Sequence, residues 1–406
     1  MSAFGFTEEQ ELFRTEMRRF VRRDLAPLAQ KGDYFGQLKK ADEVINLSGL
    51  NLPERCGGWK LSWVMTGILV EELALAKTHI GYEPYMSTHA GMDLAKAPEE
   101  TQDEIVPQLI ARTATLRHGY TEANSGNEQP AIKTKAVRDG DYYIINGEKQ
   151  PASGCSAATY AVITAVTDPS AGTKGISHFI VPRNAPGVSA SLLPFATDGM
   201  TMGLRAKANV GTDADPIAFA GCIMNYDDVK IPKRYLIGAE GEGIPHLEDC
   251  HRASAVLILS MLYIAHAMAV LNDIIEYASG RVHYGQPIIR NQGISFKIAE
   301  HYTNLQAARL LSYQALWNYD EGNPSATDFS MAKWFGLQAA TNTMLDCVRI
   351  GGYAFLTTEH NLPALLVGTI GCDIADGTTQ MHLLRILNEI VPAAIPEHMA
   401  GDKLVI

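Results

Sequence analysis

The sequence has only six cysteines, and no two stand at CxxC spacing. Cys56, Cys155, Cys222, Cys250, Cys347 and Cys372 are scattered along the chain. That pattern argues against a disulfide framework and against a zinc site, so reduced thiols, no metal and a cytoplasmic location are expected. An excess of positive charge is also lacking. Against 34 Lys and Arg stand 45 Asp and Glu, a formal net charge of −11. An acidic chain without a long basic run is a poor partner for nucleic acid or an anionic membrane surface. A local basic pocket for an anionic cofactor is still compatible with it. Residues 1–10 have neither the basic start nor the apolar stretch of a signal peptide.

Long hydrophobic runs are missing, with one exception. Residues 253–271 carry no formal charge with His266 neutral, long enough to suggest a membrane span. Ser254, Ser260, Tyr263 and His266 interrupt the run, and Arg252 and Asp273 flank it. A helix buried on all sides within a bundle is the expectation, with no membrane insertion. Low-complexity linkers and internal repeats are absent. What is present is a composition of 46% hydrophobic and 19% charged residues, which excludes disorder and a collagen-like chain. A length of 406 residues allows roughly two to three domains, each with its own core.

Helical signals dominate the first part. Thr7-Glu8-Glu9-Gln10 is a capping-box pattern, followed by Phe13, Met17, Phe20 and Val21 at helical spacing. Residues 64–76 and 99–109 are further helices, separated by a loop around Gly57-Gly58. From about residue 119 the chain turns to Gly, Asn, Asp, Thr and Val with strand-like alternation. Asp139-Gly140 and Asn146-Gly147 are expected to form tight hairpin turns. Strands are expected at 141–145, 160–167 and 177–182, in a meandering β domain. After residue 243 long helices return, near 246–278, 291–319 and 326–350, with another run from Gln380. Helices, then strands, then helices imply segregated domains rather than an alternating Rossmann sheet.

Several short motifs lie along this frame. They are Thr121-Glu122-Ala123-Asn124-Ser125-Gly126-Asn127, Pro151-Ala152-Ser153-Gly154, Gly238 with Gly241-Glu242-Gly243, Arg281 with Tyr284-Gly285-Gln286-Pro287, Asn291-Gln292, Met331-Ala332-Lys333, Ile350-Gly351-Gly352, and Asp376-Gly377-Thr378-Thr379-Gln380. Each alone is a loop, a turn or a helix end. In this order, across essentially the whole chain, they resemble the acyl-CoA dehydrogenase family of flavoproteins. The resemblance implies an α+β fold with an N-terminal helical domain (1–117), a central β-barrel (118–240) and a C-terminal four-helix bundle (241–406). It also implies FAD between barrel and bundle, a homotetramer or an assembly with a homologous subunit, and an electron-transferring flavoprotein as electron acceptor. The implied reaction is α,β-dehydrogenation of an acyl-CoA thioester. A carboxylate takes the α-proton while the β-hydrogen leaves as hydride to flavin N5.

Carried over residue by residue, the resemblance implies Asp376 as the catalytic base, where most of the family has Glu. Asp is one methylene shorter, and the interval from Gly352 to Asp376 is one residue longer than usual. Branches acting on cyclic acyl-CoAs, and the related nitroalkane oxidases, also resemble this chain in using Asp. Arg252 matches a common Arg of the bundle, and His251 before it occupies the place of an alternative base, where packing or a polar contact is the plainer expectation. Implied FAD contacts are Thr121, Asn127, Ser153, Arg281, Tyr284, Gln292, Arg349, Gly352, Thr378 and Gln380, with Arg281 reaching the pyrophosphate of a neighbouring subunit. Asp249 and Arg252 are implied on the substrate side. Asn127 stands for the family's usual Ser, Pro151 for a Trp and Arg349 for a Gln, and the stretch 207–222 is longer than usual. A branched, cyclic or aromatic-substituted acyl-CoA is therefore expected. A flavin oxidase of a small carbon acid and a non-catalytic family subunit stay open as alternatives.

Overall fold

The computed structural model describes residues 5–193, 221–357, 360 and 362–395, so the long connection expected at 207–222 falls almost wholly outside the described residues. Six helices open the chain: α1 (Glu8–Phe20), α2 (Ala26–Gln30), α3 (Tyr34–Ile45), α4 (Trp63–Leu75), α5 (Glu83–Lys96) and α6 (Glu99–Ile110). The capping box forms as its residue types dictate. The Thr7 hydroxyl accepts from the Gln10 amide at 3.2 Å, and Gln10 Oε1 accepts from the Thr7 amide at 3.0 Å. Helix α4 is buried on nearly every face, its Glu71 and Glu72 included. Arg309 pairs with Glu71 and Arg18 with Glu72, so neither carboxylate is left uncompensated.

Eight strands follow: β1 (Leu116–Gly119), β2 (Lys135–Asp139), β3 (Tyr142–Lys149), β4 (Tyr160–Val166), β5 (Ile176–Pro182), β6 (Val188–Leu192), β7 (Cys222–Pro232) and β8 (Leu236–Ile237). The sheet runs β6-β7-β3-β2-β4-β5-β8, with β1 beside β4. Asp139-Gly140 makes the expected hairpin, since Asp139 faces Tyr142 across it. Asn146-Gly147 does not turn the chain. It lies inside β3, where the register against β7 shifts between Ile145 and Gly147. Gly147 stands at that irregularity with φ at +151°, a conformation that L side chains rarely adopt. A meander also understates the topology. β1 and β2 pair with β4 in parallel, and β3 pairs with β7 from far along the chain.

The C-terminal part returns to helix with α7 (Gly243–Val256), a π-helical turn (Leu257–Leu262) and α8 (Tyr263–Gly280) as one continuous run. It is the helix long and apolar enough to cross a membrane among the described residues, yet 94% of its apolar window is buried in the protein. Then come the small hairpin β9 (Val282–His283) and β10 (Gln286–Pro287), α9 (Gln292–Asp320), α10 (Ala326–Gly351), α11 (Leu362–Ile374) and α12 (Thr379–Ile390). One apolar cluster fills the sheet and its flanking helices, a second fills the bundle, and a third lies under α1, α3 and α4.

Candidate active site

Asp376 sits in the turn between α11 and α12 with φ at +49°, a left-handed conformation that costs a non-glycine residue free energy. Gly377 follows with φ at +84°. Three successive carbonyls of this turn are held from the bundle. The Lys333 ammonium, on α10, donates to the carbonyls of Ala375 and Gly377. His382 Nε2, on α12, lies 3.2 Å from the carbonyl of Asp376 and donates to it, while its Nδ1 meets the Ser330 hydroxyl at 3.1 Å. Lys333 is fully buried, and burial pushes its ammonium down to about 8 against the pull of Asp376. These clamps over-determine the turn and hold it in its strained shape.

The Asp376 carboxylate points at α7. Oδ2 accepts a short hydrogen bond from the Ser254 hydroxyl, and Oδ1 lies 3.9 Å from His251 Nε2. The second distance is too long for a hydrogen bond but close enough for charge to be felt. The carboxylate is 30% exposed while His251 is largely buried, so the reachable face of this pair is the acid.

Behind Asp376 lies a polar cluster between two helical ladders. Tyr85, His89 and Asp93 share one face of α5, and His246, Cys250 and Ser254 share one face of α7, each at four-residue spacing. Asp93 is fully buried, and accepts from His118 Nε2 at 2.7 Å and His246 Nε2 at 2.8 Å. Burial alone would raise its pKa, yet the two imidazoles hold it well below the usual carboxylate range. His89 stacks flat on His118, with ring centres 3.6 Å apart. Burial and then His118 push His89 well below the ordinary histidine value, so its ring is neutral. His178, buried beside Tyr120 and His246, has both ring nitrogens without a hydrogen-bond partner.

The expected cofactor residues fall into two groups. Asn127 and Thr378 meet across the seam between sheet and bundle, their amide and hydroxyl 3.4 Å apart. Thr121 lies on the same loop as Asn127, and Gln380 opens α12 beside Thr378. Ser153 is exposed in the turn after β3. Nearby, the buried Gln129 Oε1 has no hydrogen-bond partner. The second group is elsewhere. Arg281, Tyr284 and Gln292 are exposed on and beside the β9–β10 hairpin, and Tyr284 is 94% exposed. Arg349 and Gly352 close α10, where Arg349 donates to Asp346 at 3.0 Å. Lys333 and Gly351, the last residue of α10, stand eighteen residues apart, about 27 Å at helical rise. Within one chain the Arg349–Gly352 end of α10 is thus far from Asp376. Of the two residues expected on the substrate side, Arg252 donates to Asp249 at 2.8 Å on α7.

Lys333 stands in a motif noted in the sequence without a role, and His382, Ser254 and the α5 ladder were missed. The signal for the ladder was present as Tyr85-x₃-His89-x₃-Asp93. That spacing is a single four-residue repeat within a stretch of mixed polar and apolar residues, and does not by itself mark a helix.

Comparison with known proteins adds four findings. Models of the acyl-CoA dehydrogenase N-terminal, middle and C-terminal domains match residues 7–113, 118–210 and 254–391. An acyl-CoA dehydrogenase of Bacillus subtilis (strain 168) is 31% identical over 94% of this chain and 97% of its own. A 3-(aryl)acrylate reductase of Clostridium sporogenes is 26% identical over 95% and 99%. Among solved structures, glutaryl-coenzyme A dehydrogenase in complex with glutaryl-CoA superposes with a TM-score of 0.82 at 24% identity, over 95% of this chain and 96% of that one. That likeness concerns the fold.

Proposed function

The chain belongs to the acyl-CoA dehydrogenase family, and from that premise we propose that it is an FAD-dependent enzyme that interconverts an acyl-CoA thioester and its α,β-unsaturated counterpart, with Asp376 as the base. The observation that carries this reading is the clamped turn. Its carboxylate is partly exposed, while the backbone around it is fixed by Lys333 and His382.

A thioester α-proton is far too weakly acidic for a free carboxylate in water. The chain must therefore do two things: hold the acceptor oxygen where the proton leaves, and place a donor where the enolate oxygen develops. Fixing the carbonyls on both sides of Asp376 fixes its peptide unit too, so the Asp376 N–H is a preorganised candidate for that donor. Ser254 sets the rotamer of the carboxylate.

The residues fit FAD. Hydroxyls and an amide at Thr121, Asn127, Ser153 and Thr378, with the orphaned Gln129 Oε1, offer the alternating donors and acceptors that a heterocycle edge requires. Arg281 and Arg349 suit a diphosphate, Gly352 leaves room for it, and Tyr284, Gln292 and Gln380 complete the cofactor set. When bound, the flavin supplies the hydride acceptor. Because the Arg349–Gly352 end of α10 lies far from Asp376 in one chain, the second group serves the site of another copy, in a tetramer. Asp249 and Arg252 hold the CoA side. Electrons pass to an electron-transferring flavoprotein, in the cytoplasm.

The substrate is branched, cyclic or aromatic-substituted at the acyl end. The shorter Asp base supports this, as does a relative named for acting on 3-(aryl)acrylates. Anaerobic visible spectra of the flavin-loaded protein with straight, branched, cyclic and aryl acyl-CoAs test it. Bleaching by one of the last three classes is expected. Flavin that stays oxidised with all of them, but consumes oxygen with a CoA-free carbon acid, would replace this reading with an oxidase.

A further inference from the structure

The N-terminal helices, the sheet and the bundle each send side chains to one buried point. On α7, His246 and Cys250 stand four residues apart on one face, and Cys250 Sγ lies 3.7 Å from His246 Nε2. From α5, Asp93 brings Oδ1 to 2.8 Å from the same nitrogen. From β5, the His178 ring stands 5.2 Å from the His246 ring, centre to centre, at an interplanar angle of 67°. All four residues are at most 2% exposed. Neither ring nitrogen of His178 has a hydrogen-bond partner among the described residues. A buried polar atom left unpaired is costly, and it points to a partner other than protein.

We propose that Asp93, His178, His246 and Cys250 form a tetrahedral zinc site that ties the N-terminal helices, the sheet and the bundle together. The separations fit. A tetrahedral zinc with bonds of about 2.0 Å to nitrogen and about 2.3 Å to sulfur spaces those two ligand atoms about 3.6 Å apart, and holds two ligating imidazoles about 5 Å apart at their centres. The observed 3.7 Å and 5.2 Å agree with both. Only the Asp93–His246 contact has to open, by about 0.5 Å. The charges fit as well. Ionised Asp93 and a Cys250 thiolate carry two negative charges, which a divalent ion cancels, as a site closed to water requires. Thiolate and imidazole also select zinc over magnesium or calcium, which take oxygen ligands.

Binding moves protons in a defined way. Cys250 gives up its thiol proton to solvent, and His246 carries its ring proton on Nδ1 so that Nε2 faces the metal. His118 keeps its 2.7 Å hydrogen bond to the other Asp93 oxygen and orients the carboxylate. The neighbouring triad of His89, Asp93 and His118 is not a rival site. His89 and His118 are stacked within 7° of parallel, so their in-plane lone pairs run side by side instead of converging. Cysteine spacing carries no zinc signal in this sequence because the four ligands come from three elements far apart in the chain. Four protein ligands leave no open position, so the ion is structural, and the proposal does not depend on Asp376 being the base.

The test uses the flavin-loaded full-length protein without an affinity tag, dialysed against zinc and then passed through gel filtration. Elemental analysis should find a single zinc per chain in the wild type and in Asp376→Asn. Cys250→Ser, which keeps the size of the side chain, should bind zinc at least roughly 10-fold more weakly. Dialysed against cobalt instead, the wild type should show the strong long-wavelength bands of four-coordinate cobalt, where oxidised flavin does not absorb; this reading needs no variant. Zinc that washes out of the wild type, or the weak spectrum of six-coordinate cobalt, would overturn the proposal and leave hydrogen bonds alone to hold the cluster. Zinc retained equally by the wild type and a folded Cys250→Ser would place the ion elsewhere and overturn it too.

Discussion

Asp376 shows how much a single position demands of its neighbours. Its φ of +49° puts an unfavourable backbone next to the proposed chemistry, and Lys333 answers by binding the carbonyls on either side. Replacing Lys333 with Met leaves both carbonyls without that donor. A loss of roughly 2–4 kcal/mol is expected, at about 1–3 kcal/mol per unsatisfied buried group, read by urea unfolding. The pH dependence has a definite sign. Lys333 in the folded protein titrates at about 8 against 10.5 for an ordinary lysine, and Lys149 shifts likewise. Between these values the unfolded chain holds protons that the folded chain has released. Stability therefore rises with pH from about 8 toward 10.5, and this contribution is lost as pH falls through 8. Unfolding midpoints at pH 7 and 9 should show a smaller rise in Lys333→Met than in the wild type; equal rises would assign the effect elsewhere. The sequence singles out Asp376 because Asp-Gly-Thr occupies the place of a family motif. Lys333 was legible as a residue and not as a role, since its partners are backbone oxygens more than forty positions away.

The elements that the sequence announced are α1, with its capping box, α4, α9 and α10, whose first turns are capped by Ser62, Asn291 and Ser325, and α6, which has no side-chain cap. Helix α5 was not announced. It has Pro84 in its first turn, contains Gly91 and mixes His and Thr into faces buried on several sides, so no apolar stripe stands out. Helix α11 contains Pro363, Gly368 and Gly371, all poor helix formers, and is carried by packing rather than propensity. Gly147 carried the right conformational information but the wrong element. A Cβ there would meet Thr134 Cα at 2.6 Å with φ at +151°, so Gly147→Ala should lower the unfolding midpoint by more than a surface substitution does. An unchanged midpoint would mean that the bulge can relax. At the end of the bundle, Asp346 on α10 accepts from Lys297, His301 and Arg349, and these bonds pull its carboxyl down to about 2 against the cost of burial. Its stabilisation is present above pH 4 and is lost as pH falls toward 2. Asp346→Asn should flatten that acid slope in denaturation at pH 5 and pH 3; an unchanged slope would contradict the assignment.

On the scale of the whole molecule, the order of helices, sheet and helices was readable because composition and period change at the borders. The pairing of β3 with β7, and the approach of α5 to α7, were not, because nothing local encodes a partner so distant in the chain. The same scale decides where the second cofactor group works. Arg281→Ala and Asp376→Asn, each inactive alone, should regain part of the flavin bleaching when co-expressed as mixed assemblies, since some sites then receive a native residue from each copy. Assemblies that stay inactive would place both residues in the site of one chain. The central claim is tested most directly by anaerobic spectra of the flavin-loaded protein with the branched, cyclic and aryl acyl-CoA panel, run side by side on the wild type and Asp376→Asn. The account predicts that one class bleaches the wild type and none bleaches the variant. Bleaching of the variant at the wild-type rate would contradict it.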